Sequence, residues 1–115
     1  MSKTPTLPTN GFTLIDSARR SKDHPDTWAH PDQGALDEIQ PGYFVKVGLT
    51  HTELIGERFW GRVRGRSGAN IEIEVDQDMR YSDQHGVSDQ DVMVVQEQNV
   101  FGIVNSRGEP VWEAG

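Results

Sequence analysis

Gly56 to Asp76 reads GERFWGRVRGRSGANIEIEVD, and the period of two in its apolar residues decides the fold. In RFWGRVRG, Phe59, Gly61, Val63 and Gly65 fall on one face, while Arg58, Trp60, Arg62, Arg64 and Arg66 fall on the other. In NIEIEVD, Ile71, Ile73 and Val75 alternate with Glu72, Glu74 and Asp76. Alternation of this kind marks half-buried antiparallel strands. A hairpin joining the two must set core side against core side, because a slip of one residue would carry every valine and isoleucine into water. Only pairs whose residue numbers sum to an even value meet that condition. With a three-residue loop Ser67-Gly68-Ala69, the expected neighbours are Arg64 with Glu72, Arg62 with Glu74, and Trp60 with Asp76. The four arginines then meet Glu57, Glu72, Glu74 and Asp76, and the segment's charge sums to zero. Each cross-strand pair is worth only about 0.2–1 kcal/mol, but together they quench the local field. A sheet surface is therefore preferred to a phosphate-binding stripe. Trp60 stands apart, because an indole on the solvent side is either covered by the N-terminal segment or used as a contact point.

Outward from the hairpin the same period continues. YFVKVGL, from Tyr43, is a strand following the Pro41-Gly42 turn. DVMVVQEQNVFGIV, from Asp91, supplies one strand, or two broken near Gln96 to Asn99. NSRGEPVW closes with a turn and a short strand holding Val111 or Trp112. Before the sheet, PDQGALDEIQPG predicts one short helix. Pro31 suits its first turn, Asp32 its positive end, Leu36 and Ile39 lie three apart, and Pro41-Gly42 stops it. GFTLIDSARR is open to a short strand or a helical turn from Asp16. KDHPDTWAHPDQ is irregular, its prolines holding their predecessors extended, with Trp28 as its anchor. The expected fold class is α+β, mainly β: a small, strongly bent antiparallel sheet or partly open barrel with one short helix. Residues 1–22 are expected as a mobile N-terminal tail and residues 23–115 as a single β-rich domain.

The chain of 115 residues has a net charge of −7 and a sequence pI near 4.9, so its overall field repels polyanions and suits a basic partner. Without cysteine it has no disulfide framework, thiolate metal site or thiol nucleophile. No apolar run approaches the roughly 20 residues that cross a bilayer, and MSKTPTLPTNG lacks the layout of a secretory signal. A cytoplasmic location is expected, with no membrane partner and nucleic acid an unfavoured one.

Chemical motifs are sparse. HPD occurs at His24–Asp26 and at His30–Asp32; J-domains carry this tripeptide between two long helices, which neither copy has. DQDMRYSDQHG, from Asp76, is the window richest in metal-ligating types, with Asp76 and Asp78 on one face of a strand end and His85 across a loop. A metal-dependent activity at these three residues is one alternative reading. A phosphate-binding loop, a GxSxG elbow and a singled-out carboxylate pair are all lacking, so an enzyme has no support and no cofactor is implied.

The runs HPDTW, PGYFVKVG, GERFWGRV, YSDQHGV and QDVMVVQEQNVFGI together resemble a family of small bacterial domains of unknown function. That family carries a threonine-aromatic pair, a PGDxVKL-like strand, a GERFWV strand, a VxNDL strand end and an HGL loop. The resemblance spans about His24 to Val104. Its matching residues are Trp28, Pro41, Gly42, Glu57, Phe59, Trp60, Asp76, Asp78, His85 and Gly86. Gln77 stands where the family has asparagine, and Gln90-Asp91 replaces a glycine-aspartate turn. Some relatives look like immunity or accessory proteins, but the resemblance implies a fold more than a task. The expected function is a non-enzymatic module that binds a protein partner through the Trp60 edge or an exposed strand, as a monomer or weak homodimer. The candidate binding residues are Arg58, Trp60, Arg62, Asp76, Asp78 and His85. The alternative partner is nucleic acid, held by Arg58, Arg62, Arg64 and Arg66.

Overall fold

The computed structural model describes residues 4–113. In chain order its elements are β1 (Thr13–Leu14), α1 (Ser17–Asp23), α2 (Gln33–Glu38), β2 (Phe44–Thr50), β3 (Glu57–Ser67), β4 (Asn70–Val75), α3 (Ser82–His85), β5 (Val92–Gln96), a 3-10 turn (Glu97–Asn99), β6 (Gly102–Val104) and β7 (Pro110–Glu113). The strands form one antiparallel sheet in the order β5-β4-β3-β2-β6-β7, and the strand ladder does not close. β6 pairs with Phe44–Lys46 of β2, and β1 pairs with Leu49 and Thr50 of the same strand. The architecture is mainly β, as the period predicts. Helix is more frequent than expected: three short α-helices stand among the described residues where one was read.

One face of the sheet carries the core. Val45, Val47, Leu49, Phe59, Val63, Ile71, Ile73, Met93, Val95 and Ile103 are almost completely buried, and Phe12, Leu36, Ile39, Val87 and Val100 pack on them. Burying each such side chain stabilises the fold by about 1.5–3 kcal/mol, which is what holds this register.

The β3–β4 hairpin departs from the expected register at one point. Ser67 lies opposite Asn70, so the turn holds two residues, Gly68 and Ala69, and Gly68 leads it with a φ of 60°. Glycine at the first turn position suits the twist of a two-residue hairpin. That turn sets an odd register sum, whereas the core needs Val63 opposite Ile73, an even one. A bulge between Val63 and Gly65 absorbs the difference, leaving Arg64 as the extra residue. Arg62 still faces Glu74, but Gly65 faces Glu72, and Arg66 comes opposite buried Ile71. Arg66 is thereby turned to the other side of the sheet. Its guanidinium donates to the carbonyls of Leu36 (2.9 Å), Ile39 (3.2 Å) and Gly68 (3.0 Å), and it pairs with Glu97. Both carbonyls lie at the negative end of α2, where Leu36 O also takes the Ile39 amide and Ile39 is the C-cap, and Arg66 donates to each.

The segment read as a tail contributes to the fold. Its first three residues lie outside the described residues. Thr6 N donates to Val92 O and Thr9 N to His85 O, β1 pairs with β2, and Phe12 and Ile15 are buried. Both readings of GFTLIDSARR are realised in succession, since β1 is followed by α1. The Asp16 carboxylate caps that helix by accepting from Arg19 N at 3.0 Å. Asp32 caps α2 in the same way through Ala35 N at 2.8 Å, which leaves Pro31 just outside the helix and not in its first turn.

Candidate functional site

The face of the sheet turned away from the core holds an open groove. Lys46 of β2 lies opposite Trp60 of β3 on one side and Gly102 of β6 on the other, while Gly102 lies opposite Glu113 of β7. Four strands therefore contribute one residue each to a single row. Gly102 is what leaves room in it: a Cβ there would stand 2.9 Å from Lys46 Cβ and 3.2 Å from the Trp60 ring. The Lys46 ammonium lies 5.8 Å from the centroid of the Trp60 ring. Arg58, two residues along β3, and Phe101 complete the lining of a cavity of about 300 Å³.

Arg58 lies against two aromatic rings. Its guanidinium carbon lies 5.1 Å from the Trp28 ring centroid and 5.7 Å from that of Phe101, and the two rings meet edge-on at 5.2 Å. Arg20 lies at 4.9 Å from the Trp28 ring. Trp28 is fixed in turn by donating its Nε1–H to the fully buried Ser17 hydroxyl at 3.1 Å. That oxygen has His30 Nδ1 at 2.9 Å as its second partner. Burial holds His30 below its ordinary value of 6.5 against the opposing pull of the Val100 backbone, Asp16 and Glu97. The N-terminal segment thus lays Trp28 against Arg58, which stays exposed, and leaves Trp60 half-exposed.

Beside the groove, the Gln77 side-chain amide continues the strand pairing of β3. It accepts from Trp60 N at 3.3 Å and donates to Arg58 O at 3.2 Å. The Gln77 amide is thereby held on the backbone of the groove's two central residues.

The six residues singled out from the sequence divide into three groups. Arg58 and Trp60 line the groove. Arg62 is exposed on the same face opposite Glu74, yet no ion pair joins them among the described residues. The expected pair of Arg64 with Glu72 is removed by the bulge, and Arg66 has left the arginine stripe altogether. Asp76, Asp78 and His85 are not gathered into one site. Both aspartates are exposed, and among the described residues no group of three His, Asp or Glu side chains is placed to hold a metal ion. His85 is 0% exposed and faces inward. Its Nδ1 accepts from Val87 N at 3.1 Å, so Nε2 carries the proton and donates to Glu57 Oε1 at 2.9 Å. The Glu57 carboxylate also accepts from Arg80 N (2.6 Å) and Tyr81 N (3.0 Å). Burial pushes the Glu57 carboxyl up, but the His85 bond and these two amides outweigh it and hold the group below its ordinary 4.5. The histidine and glutamate serve to fasten the loop before β5 onto the sheet.

Lys46, Phe101, Gly102 and Glu113 were missed by the sequence reading, and Trp28 was noted only as an anchor. No family model, curated protein or solved structure matches the chain.

Proposed function

We propose that this protein is a non-enzymatic interaction module whose groove around Trp60 receives a segment of a protein partner. One observation carries the reading: a half-exposed indole close to Gly102, beside a guanidinium set against two aromatic rings, in a groove open to solvent. Pre-organised aromatic and arginine side chains are the residue types that dominate the energetics of protein interfaces, because they bring large contact area at little entropic cost. The resemblance to domains that look like immunity or accessory proteins points the same way. The arginine stripe supports nucleic-acid binding less well once Arg66 is turned to the core side and Arg64 sits in a bulge. The test is affinity capture with the folded chain, run beside Trp60→Ala and beside a salt titration of mixed-sequence DNA and RNA. The reading expects a protein that is retained by the native chain, lost with Trp60→Ala while the thermal melt is unchanged, and no oligonucleotide binding even at low salt. Oligonucleotide binding that weakens steeply with salt would refute it.

A further inference from the structure

The groove is furnished for a particular chemistry. The Arg58 guanidinium lies against the Trp28 and Phe101 rings, which offer its fork of N–H donors no hydrogen-bond acceptor, and the residue is exposed. Arg58 makes no ion pair or side-chain hydrogen bond with any described residue, and neither does Lys46, the second cation of the lining. One carboxylate, the exposed Glu113, stands against these two cations. A basic guest would place its charge beside two unpaired cations. A nucleic-acid strand would lay phosphates against Glu74 and Asp76 on one side and Glu113 on the other. At about 300 Å³ the cavity also lies at the small end of the ~300–1,000 Å³ range of binding pockets, room for a few side chains and not for a run of nucleotides.

Resting on the reading that this groove takes a protein partner, we infer that the segment it takes is acidic. An Asp or Glu carboxylate of that segment is received by the Arg58 fork, with Lys46 as the second cation, and an adjacent side chain lies on the open face of Trp60. Bidentate carboxylate recognition is what an exposed arginine with no acceptor for its fork is suited to. The net charge of −7 argues for a basic guest only at long range. Within a Debye length of about 8 Å, the groove's own cations decide.

The experiment is selection of a displayed random-peptide library on the folded full-length chain at low salt. An Asp/Glu-containing consensus is expected. A fluorescein-labelled peptide of that sequence should lose about tenfold or more in affinity with Arg58→Gln, a loss matching one charge-assisted bond of roughly 1.4 kcal/mol or more. Lys46→Gln, which leaves the Trp28 stack intact, should weaken it several-fold, and Arg58→Lys should restore it only partly, whereas Arg107→Gln should leave it unchanged. A basic or wholly apolar consensus that is lost with Trp60→Ala would overturn the acidic guest and leave the protein-binding reading standing. If no peptide is enriched and mixed-sequence RNA or DNA binds instead, both fall. Exposed Asp76, Asp78, Asp83 and Asp89 make a second copy of the chain the competing guest. Concentration-dependent self-association abolished by Arg58→Gln would refute a foreign partner.

Discussion

Replacing Arg66 by methionine should cost far more stability than replacing Arg64, although the two look equivalent in RVRGRSG. Methionine keeps an unbranched stem of similar reach and removes the donors. Arg66→Met deletes the bonds to Leu36 O, Ile39 O and Gly68 O and the ion pair with Glu97. Two of these satisfy the last carbonyls of α2, and each hydrogen bond contributes about 0.5–1.5 kcal/mol. The side chains of Arg66 and Glu97 are each 20% exposed, so partial solvent screening limits their pair to about 1 kcal/mol or less. The sum is about 2–3 kcal/mol after allowing for water at the freed carbonyls, a large part of the 5–15 kcal/mol that stabilises a typical domain. Arg64 is exposed in the bulge with no partner among the described residues, and Arg64→Met should stay within about 0.5 kcal/mol of the native chain. Urea unfolding followed by circular dichroism reads both. With a slope of about 1–2 kcal/mol per molar, the midpoint should drop by roughly 1–3 M for Arg66→Met and scarcely move for Arg64→Met. Equal losses at the two positions, or a larger one at Arg64, would mean that the bulge is misplaced and that strict alternation runs to the turn.

Acid should destabilise the fold in two stages. His30 is held below 6.5, so the stability it contributes is complete above that pH and declines as pH falls toward its folded value. Glu57 is held below 4.5, so its contribution persists above that pH and is lost as pH falls through its lowered value. Urea midpoints measured from neutral to acidic pH should show both stages, with His30→Gln flattening the first and Glu57→Gln the second. Trp28→Phe keeps a ring against Arg58 but removes a donor from the buried Ser17 hydroxyl, and should cost about 1–2 kcal/mol in the same urea assay. Gly102→Ala places a methyl group 2.9 Å from Lys46 Cβ and 3.2 Å from the Trp60 ring. It should cost about 1–3 kcal/mol and alter the near-ultraviolet circular dichroism of the indole, and an unchanged spectrum would count against the ring lying over the glycine.

The strands were legible because each has one buried face, and a side chain on the wrong face carries a penalty that repeats at every second residue. Val63, Ile71 and Ile73 announce their side of the sheet with no help from the rest of the chain. The bulge was not legible for the opposite reason. A two-residue and a three-residue turn differ only in the local conformation around Gly68, and that choice shifts the parity of everything before it. Arg66 then exchanges solvent for the carbonyls of α2, a partner 30 residues away that no spacing within β3 could reveal.

The groove shows the same division. Arg58 and Trp60 sit in one strand, and their period marks them as outward-facing. Lys46, Phe101, Gly102 and Glu113 reach the same place only through the pairing of β2 with both β3 and β6 and of β6 with β7. Once the register is known, Lys46 opposite Trp60 and Gly102 opposite Lys46 follow by counting. Trp28 comes from outside the sheet, and its position depends on a serine in α1. Asp76, Asp78 and His85 were grouped because the chain returns them to one edge, but an edge constrains where a backbone lies and not where a side chain points. His85 turns inward because its Nδ1 accepts from an amide two residues on and its Nε2 meets Glu57, a residue the period had placed only among the arginines' counterions. The glutamate at the start of β3 fastens a distant loop, and the aromatic residue three positions later stays half-exposed in the groove.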